Sequence, residues 1–282
     1  MTVNGKLTES TMKRTKTVFG LTALMMTLMG VKNADSAKDK LVLTGSSTVA
    51  PLAAEIGKRF ESKHPGIRVD VQTGGSSRGV TDARQGLADI GMASRALNDD
   101  EKDLLAFPIA QDGICVIVHK DNPISKLEDK QVIDIYTGKI TNWKEVGGKD
   151  APIIIYGREN SSGTYSFFKE HVLENKDFAN SVQTLPGTAA VVNAVKKDVN
   201  GIGYGGAGYA KEIKECPIKK DATGTALLPI KENIDNNSYP LSRNLYLYTS
   251  KAPEGKTKEF IDWILTPAGQ EVVTKEGYFA VK

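Results

Sequence analysis

Three times along this 282-residue chain an apolar run gives way to a turn of glycine and small hydroxyl residues, and the turn to apolar residues at helical spacing. The stretches are KLVLTGSSTVAPLAAEIGKRF, IRVDVQTGGSSRGV and IIIYGRENSSGTYSFFKEHV. Their opening runs predict strands. Leu52, Ile56 and Phe60, then Val80, Ala83 and Leu87, then Tyr165, Phe168 and Val172 predict helices that follow at once. LPGTAAVVNAVKKD adds a fourth turn feeding a helix through Val191, Val192 and Val195, while ADIGMASR, Gln111–His119, VNGIGYGG and YPLSRNLYLYT read as further strands. Phe260 to Val273 predicts a closing helix interrupted near Pro267, and Lys211 to Ser238 shows no periodicity. Alternation of this kind specifies an α/β architecture with largely parallel sheets, whose ligands bind outside the carboxyl ends of the strands.

Those ends carry the chemistry. The first turn of a helix has backbone N–H groups without intrahelical partners and partial positive charge from the aligned peptide dipoles, so it attracts anions. Ser162, Gly163 and Thr164 stand where such a turn should begin, and Arg158, four residues earlier, offers a planar fork of donors that matches a tetrahedral oxyanion. One such turn is most simply a Ser-capped helix beside a solvated arginine. Gly45–Thr48 and Gly74–Ser77 repeat it, and Arg95 follows the polar tip of another strand, so the set points to a cleft lined with donors.

Lys13, Arg14 and Lys16 precede a 14-residue apolar stretch, Val18 to Val31, and then small and polar residues. This pattern predicts a secretory signal peptide over residues 1–36, too short in its apolar part for the ~20 residues of a membrane-spanning helix. The whole chain holds 37 Lys+Arg and 34 Asp+Glu; removal of the first 36 residues leaves 32 of each. A formally neutral secreted chain lacks the basic excess of a nucleic-acid binder, so any functional positive charge is local. Two cysteines are too few for a zinc site or a disulfide framework, and no cofactor or metal is expected. Cys115, inside ICVIV, reads as a small core hydrophobe; a bridge to Cys216 is left open by the sequence.

A different class of function is also encoded. Gly75–Gly79, GSSRG, fits the nucleophile-elbow pattern GxSxG after a strand, which would make Ser77 a serine hydrolase nucleophile. The base would have to be His64, His119 or His171, none of which lies late in the chain where that order of residues requires it.

GSSTVAPL, GGSSRGV, ADIGMASR, TGKITNWKEVGG, GRENSSGT and YPLSRNLYLY, in this order, resemble the periplasmic phosphate-binding proteins of Pst-type ABC transporters. The resemblance implies a two-lobed type II periplasmic-binding-protein fold of mixed, mostly parallel sheets with flanking helices and the ligand cleft between lobes, lobe I from residues 37–116 and 239–282 and lobe II from 117–238. It implies a monomeric, non-enzymatic periplasmic receptor that captures inorganic phosphate and delivers it to an inner-membrane ABC permease, without nucleic acid as a partner. Family contacts fall on Thr48 and the Val49 backbone with Ser47 adjacent, on Ser76 with Ser77 beside it, and on Arg158, Ser162, Gly163 and Thr164. One position departs: where well-known members place an aspartate that accepts the proton of hydrogen phosphate, this chain has Arg95. If Arg95 points into the cleft it is a second anchor and weakens discrimination against sulfate; otherwise it pairs with a carboxylate such as Asp89 or Asp112. A receptor for sulfate, molybdate or another tetrahedral oxyanion is the alternative.

Overall fold

A computed structural model describes residues 39–220 and 222–281. The predicted signal peptide lies outside the described residues. The described residues all belong to one compact unit.

β1 (Asp39–Gly45), α1 (Ala50–Lys63), β2 (Ile67–Thr73), α2 (Ser76–Gln85) and β3 (Ile90–Ala93) follow the predicted alternation, and β1 lies parallel to both β2 and β3. The long β4 (Leu105–Val118) leads to β5 (Leu127–Glu128) and α3 (Asp129–Tyr136). Then come β6 (Ile154–Arg158), α4 (Gly163–His171), β7 (Gln183–Leu185), α5 (Thr188–Lys197) and β8 (Gly201–Gly206), with β6 parallel to β7 and β8. Short β9 (Lys214–Cys216), β10 (Ile218–Lys219) and α6 (Lys231–Asp235) occupy the segment whose periodicity predicted nothing. They are too short for a period to register. β11 (Ser242–Thr249), α7 (Gly255–Ile264) and α8 (Pro267–Lys275) close the chain. The closing helix is two: Pro267 opens the second, where its missing N–H costs nothing, and Thr266 caps it by accepting from Gly269 N.

The main sheet has the order β2-β1-β3-β11-β4-β8-β6-β7, with β9 also on β4. It is mixed, as expected: β1 runs parallel to β2 and β3, and β6 to β7 and β8, while β4 runs antiparallel to β11, β8 and β9, and β11 to β3. The first part of β4, Leu105 to Gly113, pairs with β11, and Ile114 to Val118 pairs with β8, so one strand passes between two sets of partners at Gly113/Ile114. Packing changes with it. Ile109 and Ala110 join a core of Leu41, Leu43, Leu52, Ile56, Phe60, Leu245, Leu247 and Phe260. Ile114, Val116 and Val118 join another, with Tyr136, Trp143, Phe168, Ile202 and Tyr204.

Leu87 corrects the expected face of α2. The helix ends at Gln85 with Gly86 in the left-handed conformation (φ +70°), which turns Leu87 out to 66% exposure. The cysteines are both buried and free. Cys216 faces Val116 across the β4–β9 ladder, whereas Cys115, one residue earlier on β4, sits on the other face with Ile117. No bridge can form across a sheet.

Candidate functional site

Among the helices that start just beyond the carboxyl end of a strand are α1 after β1, α2 after β2, α4 after β6 and α5 after β7. Their first residues meet. Thr48 Oγ1 lies 3.0 Å from Thr164 Oγ1 and 3.4 Å from Thr188 Oγ1, and Ser47 Oγ accepts from Thr188 N at 3.2 Å. Ser76 Oγ accepts from Ser94 N at 3.0 Å and is so near α4 that a Cβ on Gly163 would stand 2.4 Å from it. Beside it, Ser77 N donates to Ser161 O at 3.1 Å, and Gly75 (φ +90°) leaves room for that carbonyl. The chain reverses there in a conformation other residues avoid. Thr48, Ser76, Thr164 and Thr188 are at most 1% exposed.

Two guanidinium groups enter this hydroxyl group from different directions. Arg158, the last residue of β6, donates Nη1 to Thr188 Oγ1 at 2.8 Å and Nη2 to Ser47 Oγ at 3.0 Å, while Nε and Nη2 hold Glu159 at 3.0 and 2.8 Å. Arg243, from β11, donates Nη2 to Thr164 Oγ1 at 2.9 Å and Nη1 to Gly163 O at 3.3 Å, while Nη2 and Nε hold Asp112 Oδ2 at 3.0 and 3.3 Å. A hydroxyl that accepts from a guanidinium must send its own proton elsewhere. Thr164 and Thr188 both do so, with Thr48 between them, and at least one hydroxyl proton of the three is left for an acceptor outside the group. This is a donor-rich site.

Burial raises the Glu159 carboxyl, but the hydrogen bonds and charge of Arg158, with Gly187 N, bring it net below its ordinary value, so it stays ionised. Asp112 is completely buried, and that burial holds its carboxyl above the usual range although Arg243 and Ala207 N oppose it. Tyrosines hold the turn backbones: Tyr209 OH donates to Ser47 O at 2.7 Å and Tyr278 OH to Thr48 O at 2.6 Å. Burial pushes Tyr209 up to about 12, so it remains a donor. These bonds tie the carbonyl side of the first turn to Tyr209 and Tyr278.

A family model described as a PBP superfamily domain matches residues 30–268. The chain is 32% identical over 273 residues to the phosphate-binding protein PstS of Pseudomonas aeruginosa, covering 88% of this chain and 84% of that one. It is 34% identical over 269 residues to PstS of Staphylococcus saprophyticus, at 88% and 83% coverage. The chain belongs to the PstS family. A Clostridium perfringens protein assigned as a phosphate ABC transporter substrate-binding protein, solved with bound phosphate, superimposes with a TM-score of 0.81 at 36% identity, covering 86% of this chain and all of that one. An ABC-type phosphate transport receptor from Vibrio cholerae gives 0.70 at 29% identity, again over 86% of this chain and all of the other.

Within this PstS-family chain, the residues singled out from sequence divide by what their atoms do. Ser47, Thr48, Ser76, Arg158, Gly163 and Thr164 are brought together as described. Ser162 Oγ caps α4, accepting from Thr164 N and Tyr165 N at 3.2 Å, so its hydroxyl oxygen serves the helix. Val49 buries its side chain in the core while its N–H reaches Ser46 Oγ at 3.4 Å. Ser77 has no histidine partner: His64 pairs with Glu259, His119 accepts from Asp121 N, and His171 Nδ1 lies 3.1 Å from Phe167 O.

Arg95 is a correction. Its guanidinium grips Glu101, Nη1 to Oε2 at 2.6 Å and Nη2 to Oε1 at 2.8 Å, and Nη1 also donates to Ala96 O. Neither Asp89 nor Asp112 is its partner: Asp89 accepts from Val42 N, and Asp112 holds Arg243. Burial would raise Glu101, but Arg95 and Asn98 N hold it below its ordinary value. Thr188, Ser94 and Arg243 escaped the sequence reading as site residues, and Asp112 entered it only as a possible partner of Arg95. Only Thr188 repeated a usable signal, a glycine–hydroxyl turn at a helix start, in PGTAA.

Proposed function

We propose that this protein is an extracytoplasmic receptor that holds inorganic phosphate among the first turns of α1, α2, α4 and α5 and delivers it to an ABC permease. The ligand contacts in this reading are Ser47, Thr48, the Val49 backbone, Ser76, Ser77, Arg158, Gly163 and Thr164, with Ser162 shaping the α4 turn. The observation that carries it is the buried group of Thr48, Thr164 and Thr188 hydroxyls fed by two guanidinium groups, a concentration of donors suited to an anion. The kinship to PstS proteins and the phosphate bound in the Clostridium relative point to the same ligand.

Residues 37–113 and 242–282 form one lobe in this reading and 114–241 the other, because Ile114, Val116, Tyr239 and Leu241, expected in the first lobe, pack in the second core; the lobes are joined at Gly113/Ile114 and Leu241/Ser242. Thr48 and Thr164, and Ser77 and Ser161, then touch across the cleft. A ligand gripped from both sides binds the closed arrangement better than the open one and so shifts the population toward closure. The protein works as a secreted monomer and catalyses nothing. Isothermal titration of the purified protein with phosphate, sulfate and molybdate tests the assignment, and scattering tests closure. Saturable phosphate binding with one site, and a monomer that contracts on binding, are expected. Absence of heat or thermal shift with phosphate at millimolar concentration refutes the reading.

A further inference from the structure

The family pattern places one arginine in the ligand turn and a carboxylate in the slot that Arg95 fills here. Arg95 is spent on Glu101. We propose instead that Arg243 is a second guanidinium contact for the bound oxyanion, and that Asp112 is the positioning residue that aims it.

The geometry on the two sides of the hydroxyl group is matched. Arg158 reaches Thr188, Arg243 reaches Thr164, and both threonines flank Thr48. Arginine has five N–H donors. Arg243 directs Nε–H and one Nη2–H at Asp112, the other Nη2–H at Thr164, and one Nη1–H at Gly163 O at a long 3.3 Å. Among the described residues the last Nη1–H has no protein acceptor, although the side chain is only 3% exposed. The carbonyl it shares belongs to Gly163, the first residue of α4, so the guanidinium lies beside the turn that receives the ligand. Phe167, one helical turn further on, has its ring 5.4 Å from Arg243 Cζ and limits where the fork can swing.

Asp112 is fully buried and does not face the ligand turns with a spare lone pair: Oδ1 accepts from Ala207 N at 3.0 Å and Oδ2 takes both bonds from Arg243. It stands on β4 next to Gly113, where that strand changes partners, and thereby anchors Arg243 at the point common to both sets of strands. Its role is orientation.

The inference rests on the phosphate-receptor reading, and titration with inorganic phosphate separates the two. Arg243→Lys keeps a cation beside Asp112 and removes the fork. Its melting temperature without phosphate should match the parent, and its affinity should fall about 10- to 100-fold, the worth of one charge-assisted hydrogen bond. Arg243→Gln/Asp112→Asn leaves no unpaired buried charge and should bind no worse than Arg243→Gln alone, because Asp112 acts only through Arg243. Non-additivity of that kind is what a merely structural carboxylate would not produce. If Arg243→Lys or the double variant binds phosphate within twofold of the parent, Arg243 is not a contact and the inference is overturned, while the receptor reading stands. If the parent binds no phosphate, the receptor reading fails and takes this inference with it.

Discussion

Gly163→Ala separates ligand capture from folding. Gly163 is the first residue of α4, and its φ is ordinary, so alanine meets no backbone penalty there and gains helix propensity. The unliganded protein should therefore melt at or slightly above the parent temperature if the two lobes can part. When they close, the new Cβ stands 2.4 Å from Ser76 Oγ, 2.9 Å from Ser94 Oγ and 3.1 Å from Ser76 Cβ. Ser76 cannot simply rotate away, since its hydroxyl oxygen accepts Ser94 N and is itself a proposed ligand contact. Overpacking of this kind costs about 1–3 kcal/mol, which falls wholly on the closed state and weakens phosphate binding roughly 5- to 150-fold. Calorimetry gives the affinity and a thermal melt without phosphate gives the stability. Parent-like affinity would refute the close approach of α2 and α4 in the bound state. A large loss of stability without ligand would instead refute the hinge, because the clash would then be present at all times.

Arg158→Ala should weaken phosphate binding on the order of 100-fold or more, since it removes a buried donor pair and leaves Glu159 unpaired beside the anion; calorimetry checks it. A large excess of sulfate should displace phosphate measurably in competition titration, because Glu101, Glu159 and Asp112 each already accept from an arginine and none is left to receive the phosphate proton. Glu101 is held below its ordinary value in the fold, so the Arg95 pair stabilises above the unfolded-state value and is lost as pH falls through the folded one. Glu101→Gln should accordingly lower the melting temperature at neutral pH, with the gap to the parent closing under acid. Cys115 and Cys216 should remain unbridged after oxidative refolding, seen as two alkylatable thiols by mass spectrometry in denaturant, as their opposite sheet faces require.

Local chemistry was legible from the order of residues alone: the strand, turn and helix units, the α4 start at Ser162–Thr164 with Arg158 before it, and the burial of Cys115 among apolar neighbours. Each depends on contacts within a few positions, where periodicity and capping act. The family motifs extended this to Thr48 and Ser76. Long-range pairing was not legible. Arg95 and Arg243 look alike in sequence, and only the fold sets a bidentate carboxylate six residues away against the first while carrying the second, from β11, to Asp112 on β4 and Thr164 on α4. Ion pairs are decided by whichever partner the backbone delivers within about 3 Å, which no local pattern encodes. The directions of particular strands arose in the same way. Whether β4 and β11 run parallel or antiparallel to their neighbours depends on how connections cross between the two cores, and apolar strands read alike in either direction. The chain's own letters thus marked the glycine–hydroxyl turns, and the tertiary structure decided that Arg95 pairs away from them while Arg243 reaches Thr164.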